Sequence, residues 1–203
     1  MVRRAFLTAT LILAAGAFAP ATPAAAAADP AALISQLGNR ALEVLGQGST
    51  PSQRVARFRE LLREDFDVPG IARFVLGRYW NIATEQQRAE YVKLFEDYIA
   101  LAYSTRLAEY TGEKFKVTGS RPEGDGAIVS SQIVRPGGAA PVKVDWRLTG
   151  RNGVYKISDV SVDGISMAVT QRSEFASVIQ HNGGQVQGLI AMLREKTAGT
   201  AAR

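Results

Sequence analysis

The chain has 203 residues, 46% of them apolar, with 24 Lys and Arg against 19 Asp and Glu, and it contains no cysteine. That length suits one domain with a sizeable core, and a 21% charged fraction with mean hydropathy near zero excludes a disordered chain and a polytopic membrane protein. Without cysteine there are no disulfides, zinc ribbons, Fe–S ligands or thiolate nucleophiles, and the one histidine, His181, leaves no His-based metal cluster and argues against a Ser-His-Asp triad. Composition points toward binding and away from metal or covalent chemistry.

Residues 1–28 have the layout of an export signal. Arg3 and Arg4 form a positive start, 5–19 an apolar stretch, and 24–28 an alanine run that offers small-x-small cleavage sites before Asp29. The expected mature domain is 29–203, located in the periplasm. Arg3-Arg4-Ala5-Phe6-Leu7 resembles a twin-arginine signature, but so short a start favours the Sec route. No cysteine follows the apolar stretch, so no lipid anchor is expected. Cleavage removes two arginines and leaves a mild positive excess, which argues against nucleic acid as a partner and suits anionic lipid surfaces.

Residues 30–45 carry Leu33, Leu37 and Ala41 at helical spacing, and a Gly-Gln-Gly run ends that helix. Ser49 or Thr50 caps a second helix that starts at Pro51 and buries Val55, Phe58, Leu61 and Leu62. A short helix over 68–76 ends at Gly77. Thr84-Glu85-Gln86-Gln87 is a capping box that opens the longest helix, 85–110, whose face includes Tyr91, Phe95, Tyr98, Ile99 and Leu101. From Glu113 the apolar period falls to two. Strands are expected around Phe115–Val117, over 128–134, from Val142 through Leu148, and over 154–162 after the Asn152-Gly153 hairpin signal. A phase change in the last strand predicts a bulge near Ser158-Asp159. Asp163-Gly164 then turns the chain into helices over 166–180 and 185–196. The fold class is α+β: a four-stranded antiparallel meander packed against several helices.

No motif supports an enzyme. His181 sits at a helix end, where its side chain suits the terminal carbonyls, and Asp159 and Asp163 flank a turn, where local hydrogen bonding is their expected work. The serines lack a nucleophile elbow, and the glycines lack phosphate-loop spacing. The densest feature is Ile71-Ala72-Arg73-Phe74-Val75-Leu76-Gly77-Arg78-Tyr79-Trp80, which reads either as core with solvated arginines or as a pocket rim with cations for an anionic head group.

That segment, with Phe66-Asp67-Val68-Pro69-Gly70 before it, resembles the signature of the MlaC, or toluene-tolerance, family of periplasmic lipid carriers. The 110–113, 155–166 and 172–175 segments and the 184–193 region extend the resemblance over nearly the whole mature chain. The resemblance implies an NTF2-like fold enclosing an apolar cavity, with phospholipid as cargo and no cofactor. The implied partners are an inner-membrane ABC transporter with its MCE-domain protein and an outer-membrane lipoprotein complex. A hopanoid or another polycyclic lipid, carried by a related branch, is the alternative cargo. The faces assigned above give Phe74, Val75, Leu76, Tyr98, Ile99 and Leu101 as tail contacts from the helices. Val144, Trp146, Leu148, Ile165 and Val169 are the remaining tail contacts, while Arg73, Arg78, Arg147 and Arg172 are candidates for head-group or partner contacts. The exposed arginines Arg57, Arg63 and Arg88 are further docking candidates. Two other readings stay open at this point: an isomerase-like enzyme using Tyr98 or Tyr103 with Asp145, and an adaptor whose interior is filled.

Overall fold

The computed structural model describes residues 29–45, 49–107, 112–151 and 153–198. The expected export signal over 1–28, the 46–48 helix stop, Asn152 of the hairpin signal and the end of the longest helix lie outside the described residues.

Helices α1 (Pro30–Leu45) and α2 (Pro51–Asp65) open the chain. Thr50 caps α2 in a reciprocal box, its Oγ1 accepting the Gln53 amide at 3.3 Å while Gln53 Oε1 accepts the Thr50 amide at 2.9 Å. Asp67 caps α3 (Val68–Leu76) by accepting the Gly70 amide at 3.1 Å, with Pro69 in the first turn. The single-turn α4 (Tyr79–Ile82), absent from the sequence reading, leads to α5 (Glu85–Leu107), which the Thr84–Gln87 box starts as expected.

The sheet follows as β1 (Lys114–Glu123), β2 (Gly126–Val134), β3 (Val142–Arg151) and β4 (Val154–Val162), all antiparallel in sequence order. The expected bulge is present: Arg147 opposes Asp159 and Leu148 opposes Ile157, so Ser158 is the extra residue. The sheet has five strands where four were expected. Asp163 at φ 48° and Gly164 at φ 85° form a two-residue hairpin loop, so pairing continues through β5 (Ile165–Ser166) before the chain turns helical. Ser166 then caps α6 (Met167–His181), its Oγ accepting the Val169 amide at 3.1 Å, and α7 (Val186–Thr197) closes the described chain. His181 Nδ1 lies 2.8 Å from the Ser177 carbonyl, the terminal-carbonyl role read from its position.

Two packing centres result. In the helical layer, Tyr91, Phe95, Tyr98 and Phe175 form an aromatic cluster with centroid spacings of 5.8 to 6.3 Å, backed by Leu189, Ile190 and Leu193 of α7. The Tyr91 hydroxyl donates to the Ala72 carbonyl at 3.1 Å, and burial drives its phenol above the ordinary range. Against the sheet, Ile34 and Leu37 of α1 and Leu61 of α2 seal onto Val129, Leu148 and Ile157. A parallel bridge between Phe66 and Ile157, with the Asp67 amide donating to the Ile157 carbonyl at 2.9 Å, fastens the α2–α3 junction to the same end of the sheet.

Arg40 links α1 to the end of α2, reaching Glu64 at 2.8 Å and the largely buried Asp65. Burial raises the Asp65 carboxyl above its ordinary 3.8 despite Arg40 beside it. The folded state therefore holds this proton more tightly than the unfolded state does. The stabilising contribution is complete below pH 3.8 and is lost as pH rises through the folded value. Asp65→Asn keeps an oxygen for Arg40 and removes the charge, so its stability relative to wild type should improve between about pH 4 and pH 7. Urea midpoints at the two pH values check this; a relative loss at the higher pH would mean that the Arg40 attraction outweighs burial.

Candidate functional site

The two layers meet fully at one end of the sheet and stand apart at the other. Between them lies a cavity of about 630 Å³, within the roughly 300–1,000 Å³ of ligand pockets and far above the water-sized voids of a packed interior. Its sheet wall is Phe115, Ile133, Val142, Val144, Trp146 and Val162, which the register brings onto one face as Phe115–Ile133–Val142 and Val144–Val162 pairings. The opposite wall is Leu37, Ala41, Phe58, Val75, Phe95 and Ile99 from α1, α2, α3 and α5. The mouth lies where lining residues reach solvent, at Leu42, Asp163 and Ile165, which are exposed.

Charged groups on this surface are few, and all are acidic. Glu96 is held by Arg63 at 2.7 Å, with Arg59 at 3.9 Å and bridging on to Asp97 at 2.7 Å. Asp159 accepts the Val160 amide at 2.8 Å, the Ala168 amide at 3.1 Å and the Ser166 hydroxyl at 2.6 Å, so it ties β4 to the start of α6. Asp163 accepts the Lys143 amide at 3.0 Å. The expectation of local hydrogen bonding holds for Asp159, whose partners lie within nine residues, while Asp163 reaches across the sheet to a residue twenty positions away. No lysine or arginine lines the cavity among the described residues. Trp146 keeps its indole N–H out of the apolar space by donating to Ser131 Oγ at 2.8 Å, and the Ser131 hydroxyl passes on to the Val144 carbonyl at 3.0 Å.

Val75, Ile99, Val144, Trp146 and Ile165, expected as tail contacts, come together on this surface. The other six lie elsewhere. Leu76 and Tyr98 pack in the helical core, as does Leu101, and Leu148 is sealed under α1 and α2 at the closed end. Phe74 and Val169 point outward, 43% and 52% exposed. None of the four expected head-group arginines lines the cavity. Arg147 pairs with Glu123 on the outer face of the sheet, Arg73 stacks on Trp80, Arg78 donates to the Tyr79 hydroxyl at 3.0 Å, and Arg172 covers the Phe74 ring. That bond from Arg78 is the first cause holding the Tyr79 phenol below its usual range. Of the further docking candidates, Arg63 is engaged with Glu96 and Arg88 donates to the Trp80 carbonyl at 2.8 Å, while Arg57 is exposed.

The isomerase pairing is not assembled. Asp145 is on the outer face with Ser130, Tyr98 is against Phe175, and only Tyr103 of the three reaches the cavity. Sequence reasoning missed the α1 wall, Phe58, Phe66 and Ile133; the apolar stripe of α1 was visible, but the surface it would face was not.

A family model described as MlaC protein matches residues 35–195. Among curated proteins, the chain is 23% identical over 128 residues to the intermembrane phospholipid transport system binding protein MlaC of Haemophilus influenzae, covering 61% of this chain and 59% of that protein. It is 25% identical over 144 residues to the toluene tolerance protein ttg2D of Pseudomonas putida, covering 70% and 66%. The match thus spans about six to seven tenths of these relatives' length. A solved phospholipid-binding protein from Ralstonia solanacearum, in complex with a phospholipid, shares the fold with a TM-score of 0.71 at 22% identity, over 86% of this chain and 99% of that one.

Ser131→Ala should cost about 1–3 kcal/mol, because it leaves the indole N–H of Trp146 without its acceptor. Urea unfolding measures the loss, and a value under about 0.5 kcal/mol would mean that water in the cavity takes over the bond.

Proposed function

Because the chain belongs to the MlaC family, we propose that it is an exported carrier of single phospholipids, with the tails in the apolar cavity and the head group at its mouth. The observation that carries this reading is the 630 Å³ hollow, walled by apolar side chains and free of cations among the described residues. Each CH₂ taken out of a bilayer into water costs about 0.8 kcal/mol, so a lipid leaves only for an apolar space of comparable extent. The nearly charge-free wall supplies that space, and the exposed mouth leaves the polar end in water. An adaptor with a filled interior has no use for such a hollow. Among the described residues no helix is long and apolar enough to cross a membrane.

In this proposal residues 1–28 are removed on export and the periplasm is the site of action. The cargo passes between an inner-membrane ABC transporter with its MCE-domain protein and an outer-membrane lipoprotein complex, sustaining the lipid asymmetry of the outer membrane. The names of the relatives, which speak of an intermembrane phospholipid transport system and of toluene tolerance, support lipid transport between membranes.

Native mass spectrometry of the processed chain, purified without detergent and followed by lipid extraction, tests the reading. One phospholipid per chain is the expected mass; a polycyclic lipid such as a hopanoid would change the cargo, and a lipid-free mass with no uptake from vesicles would overturn the carrier. Val144→Trp adds bulk at a buried wall position. It should lower bound lipid by roughly tenfold while the chain stays folded by circular dichroism, because the hollow absorbs volume that a filled core could not. Unchanged lipid content in the folded variant would remove this wall from the site.

A further inference from the structure

Four of the large apolar side chains left exposed lie on the α3–α4–α6 side of the helical layer: Phe74 at 43%, Ile82 at 67%, Ile165 at 61% and Val169 at 52%. Contact and spacing connect them. Ile165 immediately precedes α6, on which Val169 and Arg172 follow at near one-turn intervals, and the Arg172 guanidinium lies 5.1 Å from the Phe74 ring centre. Arg73, adjacent to Phe74, lies 5.9 Å from the Trp80 ring. Ile82 shares a shallow depression with Arg78, Tyr79, Gln180 and Gly184, and Arg78 lies 5.0 Å from the Tyr79 ring.

The charge of this face has one dominant sign. Residues 68–82 contain two arginines and no carboxylate. Arg73, Arg78 and Arg172 are exposed and take part in no ion pair among the described residues. Three carboxylates border the face and keep their charge while accepting neutral donors: Asp67 caps α3, Asp163 accepts the Lys143 amide of β3 and Glu174 accepts the Gln171 side chain at 3.0 Å. Exposed aliphatic and aromatic side chains beside unpaired arginines are the composition of surfaces that lie in a lipid interface.

The position of this face matches that composition. Helix α6 has two sides: Met167, Ala168 and Gln171 line the cavity, while Val169 and Arg172 face outward, and Ile165 belongs to both the face and the cavity. We infer that this face seats the protein directly on an anionic phospholipid bilayer. Phe74, Ile82, Ile165 and Val169 enter the head-group layer, and Arg73, Arg78 and Arg172 rest on lipid phosphates. An acyl chain then passes over the start of α6 into the hollow without crossing water. The inference rests on the carrier reading, but a separate measurement can overturn it.

That measurement is co-sedimentation of the processed chain, purified from periplasmic extract without detergent, with vesicles of phosphatidylcholine alone or of phosphatidylcholine with phosphatidylglycerol. Binding should favour the anionic vesicles and fall as salt rises from about 50 to about 500 mM. Each cation at such a surface contributes about fivefold, so Arg73→Gln with Arg172→Gln should weaken partition by roughly 30-fold. Phe74→Ser with Val169→Ser should weaken it through lost insertion, and Arg121→Gln, on β1, should leave it unchanged. All these positions are exposed, so circular dichroism should report an intact fold for each. Absence of wild-type sedimentation with anionic vesicles, equal sedimentation with neutral ones, or full binding by the double arginine variant overturns the inference. If bound lipid is still found by mass spectrometry, the docking surface alone falls; vesicle binding by a chain that never carries lipid overturns the carrier reading and leaves the surface standing.

Discussion

An apolar hollow is opposed by the same force that builds its walls. Apolar side chains that face a hollow of about 630 Å³ lose the partner atoms they would have in a close-packed interior, and burial drives them to close on one another. A domain has only about 5–15 kcal/mol of net stability with which to resist that closure. The walls therefore have to be held apart by contacts that do not depend on the space between them. On the helical side the Tyr91–Phe95–Tyr98–Phe175 cluster and α7 fix the inner surface of α5, and Arg59 and Arg63 of α2 grip Glu96 and Asp97 from the flank. On the sheet side the seal of Ile34, Leu37 and Leu61 onto Leu148 and Ile157, with the Phe66–Ile157 bridge, closes one end. Each layer is a packed body, and the hollow is the wedge left where they diverge. In the proposed carrier, the lipid completes the core, so loading and folding stability are linked through mass action.

The polar groups near the hollow are arranged to the same end. Asp159 spends its carboxylate on two amides and a hydroxyl, and Glu96 faces two arginines, so each brings its own compensation. The cations that a head-group reading would put inside are instead spread over the outer surfaces, three of them on the α3–α4–α6 side. Helix α6 thus separates two environments, an apolar one that Met167, Ala168 and Gln171 address and a basic, partly apolar one outside.

What the sequence made legible was local. The Thr84–Gln87 capping box, the 68–76 helix and the Ser158 bulge are each specified by residues within one turn or one strand pair, and all three are present. Depth and partner are not local properties. Alternation put Val144, Trp146 and Leu148 on one face of a strand, yet the first two reach the hollow and Leu148 is sealed by α1 and α2, because the layers converge along that strand. Helix α5 is apolar on more than one side since it packs against both α2 and α7, so Tyr98 and Ile99, neighbours in sequence, serve the core and the cavity respectively. Phe74 shows a signal that was available and unused: with Ala72, Val75 and Leu76 buried, helical spacing sends residue 74 outward. The fifth strand was hidden because a two-residue hairpin and a turn into a helix have the same Asp-Gly signature.

The chain has two tryptophans, and the fold puts them in unlike surroundings. Trp80 lies in the helical layer beneath the guanidinium groups of Arg73 and Arg88, at 5.9 and 5.4 Å from its ring. Trp146 has its indole nitrogen fixed by Ser131 and its ring in the cavity wall, in edge contact with Phe115 at 6.1 Å. With the nitrogen satisfied in either state, the ring senses whether water or hydrocarbon fills the hollow. Its emission is then a colour indicator of occupancy built into the native chain, readable in real time without a label.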